Sequence, residues 1–211
     1  MFSTGHRPLH PLTRTLRRRP RVGRAAFVLA VAAVLANTVP TAQASVAPHG
    51  DTSRCGGRGV DATALVRYES DIVIKAPLST VWKLQTDVER WPSWQPPVIT
   101  SERLGPGRLK AGSQFRWTTP APATTLVITS TVQELQRHDC ILWSGPATGE
   151  GLRIDEGVHL WTFREAKDGV HVHTEETWTG TQIETDVPTA TAALGASLEA
   201  WLHDLKTTAE A

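Results

Sequence analysis

Residues able to do chemistry crowd into one stretch, GVHLWTFREAKDGVHVHTEETWTG, Gly157 to Gly180. It reads as two strands around a Lys-Asp-Gly turn, so alternate residues face opposite ways. His159, Trp161 and Phe163 share one face, and so do Val170, Val172, Thr174, Glu176 and Trp178. His171, His173 and Glu175 share the other. The apolar set marks the inside. His171 and His173 at i, i+2, with a carboxylate beyond, could chelate a metal, but the parity places them in solvent with nothing behind them. No metal site is therefore expected.

His159 and Glu176 face the tryptophans. Burying an imidazole and a carboxylate there costs several kcal/mol unless they pair. A short hairpin loop makes their strands neighbours, so the two side chains can meet. They form either a structural pair or an acid/base pair, since a buried carboxyl in an apolar cavity can be tuned for proton transfer.

The same parity argument sorts the earlier strands. Phe115 and Trp117 point inward, as do Ser130, Trp143 and Ile141. Large rings (Phe115, Trp117, Trp143, Trp161, Trp178) interleaved with small polar residues (Ser130, Thr174) are what an apolar-ligand cavity needs, and they are the expected lining. Trp91 and Trp94, in RWPSWQPP, are expected at the entrance. The alternative is a solid core.

The elements that position these residues read in order as strand, short helices, many strands and one long helix. ALVRYESDIVIKAP, 64–77, is the first strand. TVWKLQTDVERW follows with helical spacing, capped by Ser79 or Thr80, and a shorter helical turn follows it. Six candidate strands come next: Ile99–Leu104, Ser113–Thr118, Thr125–Leu135, Cys140–Ser144, Gly157–Glu165 and Val170–Thr179. Their breaks are GPG, TPAPA, QRHD, GPATGEG and AKDG, which argues an antiparallel meander. At the end, Leu194, Leu198, Trp201, Leu202 and Leu205 form one apolar stripe on a long helix. The predicted fold is α+β: a curved sheet of seven antiparallel strands gripping the C-terminal helix, with two short helices after strand one.

Residues 1–44 hold seven arginines and no acid ahead of the apolar run AAFVLAVAAVLA, then Pro40 and the small-x-small pair Ala42 and Ala44. This is the layout of an export signal cut near Ala44. The route, Sec or twin-arginine, stays open, and an uncleaved anchor is the other reading. Of the 22 basic and 21 acidic residues, removing those seven leaves 15 against 21, a net of −6. An acidic domain does not attract phosphate backbones, so nucleic acid is not an expected partner. No Gly-x-Ser-x-Gly and no phosphate-cradling glycine loop occurs, so neither a serine hydrolase nor a nucleotide cofactor is expected. The expected organisation is signal (1–44), flexible lead-in (45–62) and one domain (63–211). Cys55 and Cys140 either pair, in keeping with an oxidising compartment, or remain a free and a buried thiol.

The segments IKAPLSTVWKLQTDVERWPSWQPPV, GSQFRW, STVQEL, ILWSG, HLWTF, TEETWTG and WLHDLK, in this order over 65–209, resemble the polyketide cyclase/dehydrase branch of the START-like (SRPBCC) superfamily. The resemblance implies a helix-grip fold with a deep apolar cavity. It implies a small apolar ligand or substrate, polyketide-like or lipid-like, and no cofactor. Cyclases of the superfamily hold a flexible chain in a reactive fold with help from a few polar groups. Other members are lipid carriers and hormone receptors, so a non-catalytic extracytoplasmic carrier stands as the alternative.

Overall fold

A computed structural model describes residues 54–211, and the expected export signal lies outside them. The elements run β1 (Val66–Ile74), α1 (Leu78–Thr86), a 3-10 turn (Val88–Ser93), β2 (Thr100–Arg103), β3 (Gln114–Ala121), β4 (Thr124–Gln136), β5 (Cys140–Gly149), β6 (Leu152–Ala166), β7 (Gly169–Thr179), a second 3-10 turn (Ile183–Asp186) and α2 (Val187–Ala209). The strands form one antiparallel sheet in the order β1-β7-β6-β5-β4-β3-β2. The α+β helix grip is as expected: seven strands, two short helical segments after β1, and the long terminal helix.

Strand ends differ from the sequence reading for identifiable reasons. GPATGEG was expected to break the chain; the turn is confined to Glu150 and Gly151, and β5 runs on through GPATG with a register shift between Gly145 and Ala147. A bulge tolerates Pro146, which has no N–H for the ladder. Gly145 is required there, because a Cβ would sit 1.9 Å from the Thr129 carbonyl oxygen. At the β6–β7 hairpin Ala166 pairs with Gly169, shortening the loop to Lys167 and Asp168. Gly169 has φ of 140°, and a Cβ would meet the Ile74 carbonyl oxygen at 2.4 Å. Helix α1 begins at Leu78, two residues before the expected Thr80. Pro77 stands at its N-cap and accepts from Thr80 and Val81 through its carbonyl, so Ser79 and Thr80 lie in the first turn.

Helix α2 starts where Asp186 Oδ1 accepts the Thr189 N–H (3.1 Å) and Pro188 occupies the first turn. Its stripe of Leu194, Leu198, Trp201, Leu202 and Leu205 is buried. The C-terminal half packs on Ile74, Val81, Val172, Phe163 and the aromatic rings to make a solid core. The N-terminal half, near Val66, Leu194 and Leu198, does not fill the grip.

A smaller apolar layer lies on the convex face. Cys55 and Cys140 form a disulfide with a Cα–Cα distance of 5.5 Å and pack with Leu142, Leu160, Val60 and Val158. Arg58 Nη1 donates to the Gln133 carbonyl (2.9 Å), and the Asp61 N–H to Thr177 Oγ1 (3.3 Å). The flexible lead-in expected over 45–62 is thus corrected for 54–62: irregular in backbone, but pinned to the sheet. The same cover corrects the solvent assignment of the outer side of β7. His171 is exposed there, but His173, Glu175 and Thr177 are buried. Desolvation raises the Glu175 carboxyl above its ordinary range, against the pull of the Arg67 guanidinium paired with it.

Candidate functional site

The unfilled half of the grip is a cavity of about 490 Å³ between the inner faces of β3–β7 and the N-terminal half of α2. Four indoles line it: Trp117, Trp143, Trp178 and Trp201. Three of their N–H groups are used internally, Trp117 donating to Ser130 Oγ (3.3 Å), Trp178 to Glu176 Oε1 (2.7 Å) and Trp201 to Gln85 Oε1 (3.1 Å). The rings therefore turn carbon toward the space, beside Leu126, Ile128, Ile154 and Leu198. Gly145, Ala147 and Gly157 keep the wall thin where β5 and β6 cross it. The exposed residues Pro120 and Pro122 of the β3–β4 hairpin and Ala193 and Ser197 of α2 mark the mouth.

His159 and Glu176 stand opposite each other in the β6–β7 register, both at the cavity wall. His159 Nδ1 lies 3.0 Å from Glu176 Oε2, and its Nε2 lies 2.8 Å from Thr174 Oγ1. Thr174 in turn donates to the Leu160 carbonyl at 3.3 Å. Thr174 Oγ1 thus lies within hydrogen-bond reach of both His159 Nε2 and the Leu160 carbonyl and fixes the orientation of the ring. The Nδ1–Oε2 contact brings the imidazole and the carboxyl within proton-sharing distance, with Glu176 partly open to the cavity (side chain 17 % exposed). The rings of Trp143 and Trp161, at 5.0 and 5.1 Å, hold the imidazole on both sides. The site is an apolar chamber with a paired imidazole and carboxyl at its wall.

Of the residues singled out in the sequence, Trp117, Ser130, Trp143, Trp178, His159 and Glu176 come together at this cavity. Others do not reach it. Phe115 and Trp161 are inside, but fully buried in the solid half. Thr174 is buried behind His159 and serves as its hydrogen-bond partner. Trp91 is not at an entrance. It is the hub of the aromatic core, edge-on to Phe115, Trp117 and Trp201 at 5.5, 5.8 and 4.9 Å, with its N–H on the Gln85 carbonyl. Trp94 packs at the same closed end, 6.3 Å from Trp201. Trp201 and Leu198 were read only as a helix stripe; the signal that they also face a chamber was their position opposite the small-residue strands.

A single-layer antiparallel sheet gripping a long helix over an apolar chamber defines the helix-grip class of fold. The family model described as "Polyketide cyclase / dehydrase and lipid transport" matches residues 66–210, and the chain belongs to that family. Solved structures agree on the fold. A START superfamily protein from Mycobacterium smegmatis aligns with TM-score 0.56 at 16 % identity, over 68 % of this chain and 97 % of that one. The Zhui aromatase/cyclase from Streptomyces sp. R1128 aligns with TM-score 0.57 at 16 % identity, over 68 % and 93 %. The di-domain aromatase/cyclase StfQ of the steffimycin biosynthetic pathway aligns with TM-score 0.56 at 17 % identity, over 69 % of this chain and 50 % of that one. A comparison with curated proteins finds no match.

Proposed function

We propose that this domain takes up an apolar, polyketide-like or lipid-like molecule and promotes its cyclisation or dehydration. Confinement between the indoles supplies the main effect, because a floppy chain loses entropy on reaching a ring-closing geometry and a shaped chamber imposes that loss at binding. The His159–Glu176 pair supplies the proton to a ligand oxygen placed against it, a contribution of about 10²–10⁴-fold. The observation that carries this reading is the geometry of the pair at the cavity wall: His159 Nδ1 lies 3.0 Å from Glu176 Oε2, and Thr174 orients the ring from behind.

The test uses a linear poly-β-ketone thioester as substrate and a neutral naphthylamine dye as a binding probe. Glu176→Gln and His159→Gln should lower cyclised or dehydrated product by about 10²-fold or more while dye uptake persists. Dye uptake with no turnover by the native protein would leave the carrier, and the catalytic reading would be abandoned.

We also propose that residues 1–44 direct export. The Cys55–Cys140 disulfide supports an oxidising destination, and among the described residues no helix is long and apolar enough to cross a membrane.

A further inference from the structure

On the face of the sheet opposite the cavity, three polar atoms are buried without a hydrogen-bond partner: His173 Nε2 and both carboxylate oxygens of Glu175, of which Oε1 meets the Arg67 guanidinium as an ion pair. His173 is only 6 % exposed and Glu175 is not exposed at all. Leaving such atoms unpaired costs the full desolvation of each, and more for a charged group. The two residues converge with Glu69, the cross-strand partner of Glu175, so that one ligand atom from each of the three lies within 4.8 Å of the others.

We propose that His173, Glu175 and Glu69 bind a divalent transition-metal ion of the zinc class and clasp the edge strand β1 to β7. Four observations meet here. The other ring nitrogen of His173, Nδ1, lies 3.0 Å from Asp71 Oδ1. That carboxylate holds the proton on Nδ1 and turns the Nε2 lone pair toward the cluster, the carboxylate–histidine–metal arrangement. The charges also sum correctly. Glu69, Glu175 and Asp71 against Arg67 leave −2, which a dication neutralises. Arg67 occupies Glu175 Oε1, so Oε2 binds the ion without breaking that pair. Finally, an imidazole ligand favours zinc, with cobalt as its spectroscopic stand-in, over calcium and magnesium. Ligand bonds of about 2.0–2.2 Å require the cluster to tighten, and Glu69, on a 60 % exposed side chain, can swing in while the buried pair stays. Water completes the coordination. The histidine pair read from the sequence thus changes membership: His171 points to Asp168 (3.3 Å), and Glu69 of β1 takes its place.

The ion lies across the backbone that carries Thr174 and Glu176, so it steadies the strand from which the cavity pair is hung.

The test is titration of the untagged, chelator-stripped full chain with zinc by calorimetry and with cobalt by visible spectroscopy. One zinc should bind with a dissociation constant of about 10 µM or below, with cobalt ligand-field bands and a concentration-dependent rise in melting temperature. Glu69→Gln, a surface change that leaves the fold intact, should weaken binding at least tenfold, and His173→Gln should abolish it. Asp71→Asn should weaken it about 10–100-fold with the cobalt spectrum retained, and His171→Ala should change nothing. Absence of binding at about 1 mM zinc, or affinity indifferent to Glu69→Gln, would overturn the proposal.

Discussion

Replacing both Cys55 and Cys140 with alanine tests how far the N-terminal arm belongs to the fold. The disulfide closes a loop with a sequence separation of 85. For such a loop the chain-entropy relation gives about 4.6 kcal/mol at 25 °C, a large share of the roughly 5–15 kcal/mol that domains possess. Alanine keeps both β-carbons among Leu142, Leu160 and Val60, so packing changes little and the loss reports on the tether. Urea unfolding of the double variant should lower the extrapolated stability by about 3–5 kcal/mol, with a somewhat larger m-value as the denatured chain expands. For a domain of this size the melting temperature should fall by about 8–18 °C. Dithiothreitol should reproduce the effect in the native sequence. A loss below about 1 kcal/mol under both treatments would refute the reasoning, and the arm would have to be held by its hydrogen bonds and apolar contacts alone.

Other expectations follow from single positions. Ala193→Trp places an indole at the cavity mouth on an exposed helical site, so naphthylamine uptake should drop at least tenfold while stability stays within about 0.5 kcal/mol; unchanged uptake in a fluorescence titration would move the mouth elsewhere. Gly195 lets α2 lie on β1, since a Cβ would come within 2.7 Å of the Tyr68 ring. Gly195→Ala gains about 1 kcal/mol of helix propensity but overpacks by about 1–3, so urea midpoints should show a net loss or at best no change, and a clear gain would contradict the close approach. Asp186 is held below the ordinary carboxyl value of 3.8 by its bonds to Thr189. Its contribution is therefore present above that pH and lost as pH falls through the lowered value. Asp186→Ala should melt below the native protein at pH 7, and the gap should narrow below about pH 4; a gap that widens on acidification would reverse the sign.

What the sequence showed of the site was its facing, and what it hid was its depth. Alternation placed His159 opposite Glu176 and aimed Trp117, Trp143 and Trp178 inward, because a strand has only two sides. It could not separate Trp143, on the chamber, from Trp161 and Phe115, in the packed half. That distinction depends on how far along the grip α2 fills the space. Trp91 closes the helical segment TVWKLQTDVERW and Trp94 lies in the proline-rich run after it, so nothing local distinguished an entrance from a core hub. Burial of His173 and Glu175 was illegible for a different reason. The arm that covers β5–β7 has no periodicity and is located by a disulfide whose pairing the spacing left open. The bulge that carries β5 through Pro146 was masked by turn-forming residues that served instead for close approach to β4.

The proposed function requires a chamber that holds a ligand against the His159–Glu176 pair. Native mass spectrometry of the protein recovered from its producing organism tests this most directly. A co-purified apolar molecule should appear in the native chain and disappear in Ala193→Trp. The bare polypeptide mass in every preparation would contradict the account.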